Sequence, residues 1–311
     1  MSDLGYGCAG IGNHRLAMTD EQARALLDAA WENGIRHFDT APHYGLGLSE
    51  RRLGAFLATK PRDEYVVSTK VGRVLVDNPG GGDALDDEGF VVPAVTRRVW
   101  DFTEDGVRRG LAASLERLGL DRVDVVYLHD PERWDLDRGL GDGLPALAKL
   151  KAEGVTGQVG VGSMDTAALL AAARSGLVDV LMAAGRYTLA DQSLAAETLP
   201  VCDAEGVAVV AAAVFNGGLL AAEPTRESTF DYAPVTGDVL DRARRTAAVC
   251  ARFGVPLAAA ALHFPLRHPA VVSVVAGGVE SSQIAANAGY LATEPPEALW
   301  DALREEGLVT G

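Results

Sequence analysis

Four polar side chains at the ends of predicted strands could together move a proton. Asp39, Tyr44, Lys70 and His129 each stand at or just past the end of a predicted strand in a repeating strand and helix pattern. In a parallel barrel, such positions converge on one mouth. A carboxylate, a phenol, an ammonium and an imidazole brought together there could transfer a proton while another group accepts or donates a hydride.

Each of the four residue types suggests a role. Tyr44 is the candidate acid and base, because a neighbouring ammonium lowers the pKa of a phenol from about 10 by roughly 1 to 3 units. Lys70 would supply the ammonium, and Asp39 would keep Lys70 charged in a partly desolvated pocket. His129 would hydrogen-bond the reacting oxygen. Taken singly, each residue also fits a structural role, such as a rim aromatic, a snorkelling lysine or a turn cap.

The helices that would position these residues have clear boundary signals. Thr19 begins a capping box that ends at Gln22, and apolar residues then recur at helical spacing. Gly34 is the expected C-terminal cap of this first helix. Further helices are predicted from about Ser49 and from Thr103.

Eight apolar runs alternate with helical segments along the chain. They are continuously apolar, which suits strands buried on both faces of an all-parallel barrel. The pattern therefore predicts the α/β class and a (β/α)8 TIM barrel. A doubly wound open sheet is the alternative, but no GxGxxG joins the first strand to the first helix. In chain order the runs are GYGCAG, IRHFDT, EYVVSTKV, VDVVYLH, QVGVGSM, VDVLMAAG, VAVVAAAVF and VVSVVAGG.

One connection, after the third strand, is unusually long. From about Val71 to Phe102 the sequence shows no helical period, and a loop of this length in a compact domain is usually functional or disordered. Because it leaves the strand that carries Lys70, we expect it to overhang the mouth as a lid. Arg73, Phe90 and Trp100 are its candidate substrate contacts, and a mobile insertion without a role is the alternative.

Composition limits the classes of protein to which the chain could belong. With 311 residues, of which 48% are hydrophobic, the chain can bury a large core, and residues 1–311 are predicted to form one domain. The formal net charge of -15 argues against a nucleic-acid partner, because phosphate binding needs clustered Lys and Arg. The sequence contains neither a run of about 18 to 20 apolar residues nor a basic segment followed by an apolar one. We expect a cytoplasmic protein without a membrane partner.

The metal-binding and disulfide-forming residue types give little signal. Cys8, Cys202 and Cys250 are odd in number and scattered, so reduced structural thiols are expected. A divalent metal at a mouth containing Asp39, His43, His129 and Asp130 is a disfavoured alternative, because Lys70 would stand beside the metal as a second cation. His43 is kept as a further candidate substrate contact.

The strings around the four polar residues, FDTAPHYGLGLSERRLG, VVSTKVG and VDVVYLHDPE, resemble the aldo-keto reductase superfamily. The resemblance runs from about Gly5 to Tyr290. It implies an enzyme with a nicotinamide cofactor as hydride carrier, and in that family the four matching residues have the catalytic roles given above.

The resemblance also implies a cofactor site in the second half of the chain. The segment Val274 to Asn287 is similar to the family's last strand and the helix start that holds the pyrophosphate and adenosine, and Phe215 is similar to the aromatic residue under the nicotinamide ring. Two departures stand out: the usual Asn after the fifth strand is missing beside Ser163, and Ala184 replaces a common Gln. The implied cofactor contacts are Ser163, Phe215, Gly217, Gly277, Gly278, Gln283 and Asn287.

The choice between the two nicotinamide cofactors depends on charge. In members that prefer the 2′-phosphorylated form, the segment matching 277–287 typically supplies Lys or Arg to the phosphate. Here it has neither, and Glu280 would repel the phosphate. NAD is therefore the expected cofactor, with NADP possible.

Within the superfamily, the strings GCAGIGN, STKVGR, AGRYT and VFNGG resemble the group of D-threo-aldose 1-dehydrogenases, L-fucose dehydrogenases and pyridoxal 4-dehydrogenases. This resemblance implies a small-molecule substrate and oxidation of the anomeric hydroxyl of an aldose to an aldonolactone, with Tyr44 as acid and base. Three alternatives stay open: a pyridoxal 4-dehydrogenase, a general NADPH-dependent aldehyde or ketone reductase, and a non-catalytic nicotinamide-sensing protein. The sequence leaves the oligomeric state open.

Overall fold

The computed structural model describes residues 3–231 and 233–310, and its centre is a closed barrel of eight parallel strands. Each strand is hydrogen-bonded to the strands before and after it in chain order, and the last pairs with the first. This arrangement confirms the predicted (β/α)8 barrel and excludes the open sheet. The barrel strands are β1 (Leu4–Gly7), β2 (His37–Asp39), β3 (Val66–Val71), β4 (Val123–His129), β5 (Thr156–Ser163), β6 (Val180–Ala184), β7 (Ala208–Ala212) and β8 (Val271–Ala276).

Helices connect the strands around the outside of the barrel. They are α1 (Asp20–Glu32), α2 (Leu48–Leu57), α3 (Glu104–Leu118), α4 (Leu136–Ala152), α5 (Thr166–Ala173), α6 (Thr198–Glu205), α7 (Gly237–Arg252), α8 (Leu257–Leu266), α9 (Ser281–Leu291) and α10 (Glu297–Glu305). No single helix in the described ranges is long and apolar enough to cross a membrane. By length and composition alone, the bent pair of α7 and α8 passes that test together.

The helix boundaries follow the local signals in the sequence. The Thr19 side chain accepts a hydrogen bond from the amide of Gln22, and the Gln22 side chain accepts one from the amide of Thr19, so the predicted capping box is complete. At the start of α3 the Thr103 side chain accepts a hydrogen bond from the amide of Gly106, and Gly119 ends that helix in the left-handed conformation. These caps satisfy amides and carbonyls that the helix itself leaves without partners.

Two apolar layers enclose the barrel wall. Between the strands and the helices lies the larger layer, while side chains such as Tyr127, Met182 and Val210 fill the barrel interior. Cys8, Cys202 and Cys250 are all free and buried, as expected. With the interior filled in this way, a cavity can form only at the ends of the strands.

The long connection after β3 is more ordered than the sequence predicted. Its two ends, Arg73–Asp77 and Thr96–Trp100, pair as an antiparallel hairpin. The prediction of a plain loop was wrong there, because the test for helical period overlooked two short runs rich in β-branched residues. The expectation that the connection overhangs the mouth is met: the ring of Phe90 stacks on Tyr44 with centroids 6.0 Å apart.

A backbone contact between two loops fixes the turn that carries Tyr44. Gly45 has a φ of 64°, and a Cβ atom there would lie 2.1 Å from the carbonyl oxygen of Gly12, in the loop after β1. Gly12 belongs to the short 3₁₀ turn Gly10–Gly12. The tight approach of these two glycines sets the position of the phenol relative to the end of β1.

We expect Gly45→Ala to destabilise the protein by about 3 kcal/mol or more, because the left-handed conformation and the clash with Gly12 both oppose the new methyl group. Gly34→Ala is the matched control: Gly34 has a φ of 81° but an open surrounding, so only about 1 kcal/mol is expected. Urea unfolding measures both. Equal losses for the two variants would show that the loop contact carries no strain.

Candidate active site

The four predicted polar residues meet at the carboxyl ends of β2, β3 and β4 and the turn after β2. They line a cavity of about 220 Å³ at the mouth of the barrel. The structure thus brings together the whole predicted set of Asp39, Tyr44, Lys70 and His129. The remaining lining is Gly7, Ala9, Asp130, Gly162, Ser163, Met182, Ala184, Ala212, Ala213, Val275 and Gly277.

The ammonium of Lys70 is buried and bound on all sides by oxygen atoms. Its Nζ donates hydrogen bonds to Asp39 Oδ2 at 2.6 Å and to the carbonyl of Thr40 at 3.0 Å. A further side-chain hydrogen bond joins Lys70 to Tyr44, whose ring centre lies 4.8 Å from Nζ. An ammonium has three N–H groups, so these three oxygens use all of them. The lysine is therefore held in one position, against the phenol.

The charge of Lys70 depends on its partners. Burial alone would lower the pKa of Lys70, but the carboxylate of Asp39 and the contact with Tyr44 outweigh burial, so the pKa is raised above its ordinary value. The stability contributed by this pairing is fully present below the ordinary lysine pKa. It is lost only as the pH rises through the raised value.

Asp39 is itself held by a directed chain of hydrogen bonds. Ser68 Oγ donates to Asp39 Oδ1 at 2.7 Å. Because that bond uses the one hydroxyl proton, the contact at 3.1 Å between His37 Nε2 and Ser68 Oγ must have the imidazole as donor. Burial lowers the pKa of His37 to about 4, so the imidazole is neutral. The chain His37, Ser68, Asp39 and Lys70 thus runs from the barrel interior to the phenol.

His129 stands beside the phenol as a neutral imidazole. Burial, followed by the nearby charges of Arg73 and Lys70, keeps the pKa of His129 well below its usual value. Its ring lies edge-on to that of Tyr44, with centroids 6.0 Å apart. A neutral imidazole can donate a hydrogen bond to a substrate oxygen without adding a charge to the cavity.

The four predicted substrate contacts do not line the cavity in the part of the chain that the structure describes. They are Arg73, His43, Phe90 and Trp100. Arg73 is buried and pairs with Asp130 and, at 3.3 Å, with Glu88 of the lid, and its guanidinium lies over the ring of Trp100. Direct contact of these four residues with substrate stays a prediction, while their structural role is to join the lid to the barrel.

A second, larger cleft of about 810 Å³ begins beside the cavity and runs toward the start of α9. Six predicted cofactor residues line it, namely Phe215, Gly217, Gly277, Gly278, Gln283 and Asn287, while Ser163 lines the first cavity. Gln283 Oε1 accepts from the amide of Val279 at 2.9 Å, and the Tyr6 hydroxyl donates to the carbonyl of Gly278 at 3.0 Å. Their contacts with a cofactor stay predictions.

The cavity and the cleft share a wall of small residues, Gly7, Ala9, Ala213 and Gly277. A Cβ atom added to Gly277 would meet only the carbonyl of Gly7, at 3.7 Å. Only glycine and alanine therefore stand between the two spaces. An extended ligand could lie along the cleft with one end beside Tyr44 and His129.

Comparison with known proteins agrees with this geometry. The sequence pattern described as "Aldo/keto reductase family" matches residues 3–305. The chain belongs to the aldo/keto reductase family. It is 53% identical to a D-threo-aldose 1-dehydrogenase from Pseudomonas sp., over 98% of this chain and 94% of that protein. It is 38% identical to a pyridoxal 4-dehydrogenase from Microbacterium luteolum, over 99% of this chain and 94% of that protein.

A solved aldo-keto reductase from Bacillus halodurans, in its holo form, has the same fold. It superposes with a TM-score of 0.78 at 25% identity and covers 99% of this chain and 92% of its own. Members of the family are oxidoreductases that use nicotinamide cofactors. The cleft of about 810 Å³ beside the cavity is large enough for such a cofactor.

Sequence reasoning missed several residues that the structure adds to the site. His14 and Arg15, in the loop after β1, line the cleft. Glu132 accepts a hydrogen bond from Ser163 at 2.8 Å, so the Ser163 hydroxyl has a protein partner. Asp130, which the sequence analysis placed at the mouth only as a possible metal ligand, lines the cavity itself.

We expect Asp39→Asn to lower turnover at least about 10-fold and to bring the alkaline loss of activity to lower pH. Without the carboxylate, burial would dominate and lower the pKa of Lys70, so the ammonium would lose its proton as the pH rises. Initial rates across neutral and alkaline pH measure this. Ser68→Ala, which keeps the carboxylate, should lose activity at the same alkaline pH as the wild type. If Asp39→Asn also loses activity at that pH, Asp39 does not maintain the charge of Lys70.

Proposed function

We propose that the protein is an NAD-dependent aldose 1-dehydrogenase, which oxidises the anomeric hydroxyl of an aldose to an aldonolactone. One observation carries the proposal: Tyr44, hydrogen-bonded to the charged Lys70, faces a small cavity that adjoins the larger cleft along a wall of glycine and alanine. The 53% identity to an aldose dehydrogenase over nearly the whole chain supports the choice of substrate class.

The roles of the residues follow from their positions. The substrate oxygen lies between Tyr44 and His129, and His129 donates a hydrogen bond that fixes its distance from the cleft. Tyr44, stabilised as a phenolate by Lys70, takes the hydroxyl proton. A bound nicotinamide cofactor supplies the hydride acceptor. The C1–H and O–H bonds of the hemiacetal break, the carbonyl of the lactone forms, and the proton leaves through Tyr44 to solvent.

A substrate panel tests the proposal. We expect NADH formation, followed by absorbance at 340 nm, with at least one of L-fucose, D-arabinose, L-galactose and L-xylose at mildly alkaline pH. Tyr44→Phe should lower that rate at least about 10²-fold, because it removes the proton acceptor, while cofactor binding is retained. Turnover of pyridoxal alone would keep the mechanism and replace the substrate. Cofactor binding without turnover of any compound would favour the nicotinamide-sensing alternative.

We propose NAD rather than NADP as the cofactor on the basis of charge. Glu280 is exposed at the start of α9, beside Val279 and Ser282 of the cleft lining, and the 277–287 segment has no cation. A 2′-phosphate placed near this helix start would meet a carboxylate and no ion-pair partner from the segment.

Equilibrium binding measures this preference without any substrate. We expect NADH to bind several-fold more tightly than NADPH when each is titrated against the intrinsic tryptophan fluorescence. Glu280→Gln should narrow the difference by roughly 1 kcal/mol, about fivefold, because one like charge is removed. Glu294→Gln, which removes an exposed carboxylate outside the cleft, is the control and should leave the difference unchanged. Tighter binding of NADPH to the wild-type protein would contradict the proposal.

A further inference from the structure

Asp130 has a backbone that turns its carboxylate into the cavity. It is the first residue after β4 and adopts left-handed angles, with φ 45° and ψ 58°, at the start of the 3₁₀ turn Pro131–Arg133. Its amide donates to the carbonyl of Gly162 at 3.0 Å. Aspartate is one of the few residues that accept this conformation at low cost. The carboxylate thereby lines the same cavity as Tyr44, Lys70 and His129.

One oxygen of the Asp130 carboxylate is bound by other residues of the protein. Asp130 Oδ2 accepts a hydrogen bond from Nη2 of Arg73, which is almost fully buried. Arg133 Nη1 and His129 Nε2 lie 3.9 and 3.8 Å from the same oxygen. Among the described residues no donor reaches Oδ1, and 17% of the side chain stays exposed, at the cavity. Arg73 therefore fixes the carboxylate while leaving an acceptor for a ligand.

The place of this acceptor determines which substrate atom it can reach. His129, the donor to the reacting oxygen, is the neighbouring residue, and its Nε2 is under 4 Å from the Asp130 carboxylate. Oxygens on adjacent carbons of a polyol are about as far apart as hydrogen-bonded atoms. A carboxylate at this position is therefore within reach of the hydroxyl next to the reacting one.

We propose that Asp130 is a substrate-binding residue that accepts a hydrogen bond from the hydroxyl on the carbon next to the oxidised carbon, the 2-hydroxyl of an aldose. The inference rests on the proposed function and deepens it, because it makes a vicinal diol part of what the site recognises. A hydrogen bond to a charged acceptor in a partly desolvated cavity selects for the hydroxyl by roughly 10- to 100-fold.

The competing explanation is that Asp130 only balances the buried charge of Arg73. Two substitutions separate the roles. Asp130→Asn keeps the size and removes the charge, whereas Asp130→Glu keeps the charge beside Arg73 and moves the acceptor by one methylene group. If charge balance were the whole role, the Glu variant would be near normal. If the Asn variant does not fold, Asp130→Glu still tests the contact with the 2-hydroxyl.

Each variant and the wild type are assayed with pairs of sugars that differ by one hydroxyl. D-Arabinose and 2-deoxy-D-ribose differ only at carbon 2, while L-galactose and L-fucose differ only at carbon 6. We expect the wild-type kcat/KM to be roughly 10- to 100-fold lower for 2-deoxy-D-ribose than for D-arabinose. In both Asp130 variants, kcat/KM for D-arabinose should fall by a similar factor, whereas kcat/KM for 2-deoxy-D-ribose should change little. The ratio between L-galactose and L-fucose should not change, and NADH affinity should stay that of the wild type.

The outcomes separate this inference from the proposed function. Equal losses on D-arabinose and 2-deoxy-D-ribose in a variant would overturn the contact with the 2-hydroxyl, as would a wild-type protein that oxidises the two sugars equally well. In both cases the aldose dehydrogenase activity would stand. A wild-type protein that oxidises neither these four sugars nor L-xylose would overturn both proposals together.

Discussion

The ion pair between Lys70 and Asp39 is the interaction on which the rest of the site depends. Both side chains are almost completely buried at the end of the barrel, where an unpaired charge of either sign would be strongly destabilising. The register of β2 and β3 pairs Asp39 with Ser68. Lys70 lies two residues further along β3 and therefore faces the same side of the sheet as Ser68. Once the ammonium is fixed there, it has one N–H left for Tyr44, and the proton chemistry of the cavity follows from that contact.

Local signals in the sequence were sufficient for most of the barrel. The capping box at Thr19, the caps of α3 and the eight apolar runs each encode an element within a few residues of its ends, and closure of the barrel then brings the strand ends together. The strings around Asp39, Lys70 and His129 indicated which of those ends carry chemistry. Periodicity and a few quoted strings therefore predicted both the fold and the residues that meet at its mouth.

Contacts between distant loops could not be predicted in this way. The pairing of Arg73 with Asp130 joins two residues 57 positions apart, and the hairpin after β3 joins 73–77 with 96–100. No period in these segments encodes the partner. Arg73 was expected to contact substrate because it lies near Lys70 in the chain. In the structure its guanidinium turns toward Asp130 and the lid, because burial requires a charged side chain to find a partner within the protein.

The wall of small residues between the cavity and the cleft also separates two groups of functional residues that come from different parts of the chain. Proton chemistry comes from β2, β3 and β4, whereas the cleft wall comes chiefly from the chain after β7 and from α9. Only glycine and alanine lie where the two parts meet. Substitutions that retune dinucleotide recognition can therefore accumulate in the second half without disturbing the acid and base in the first, so the fold can change its redox partner and its reaction independently.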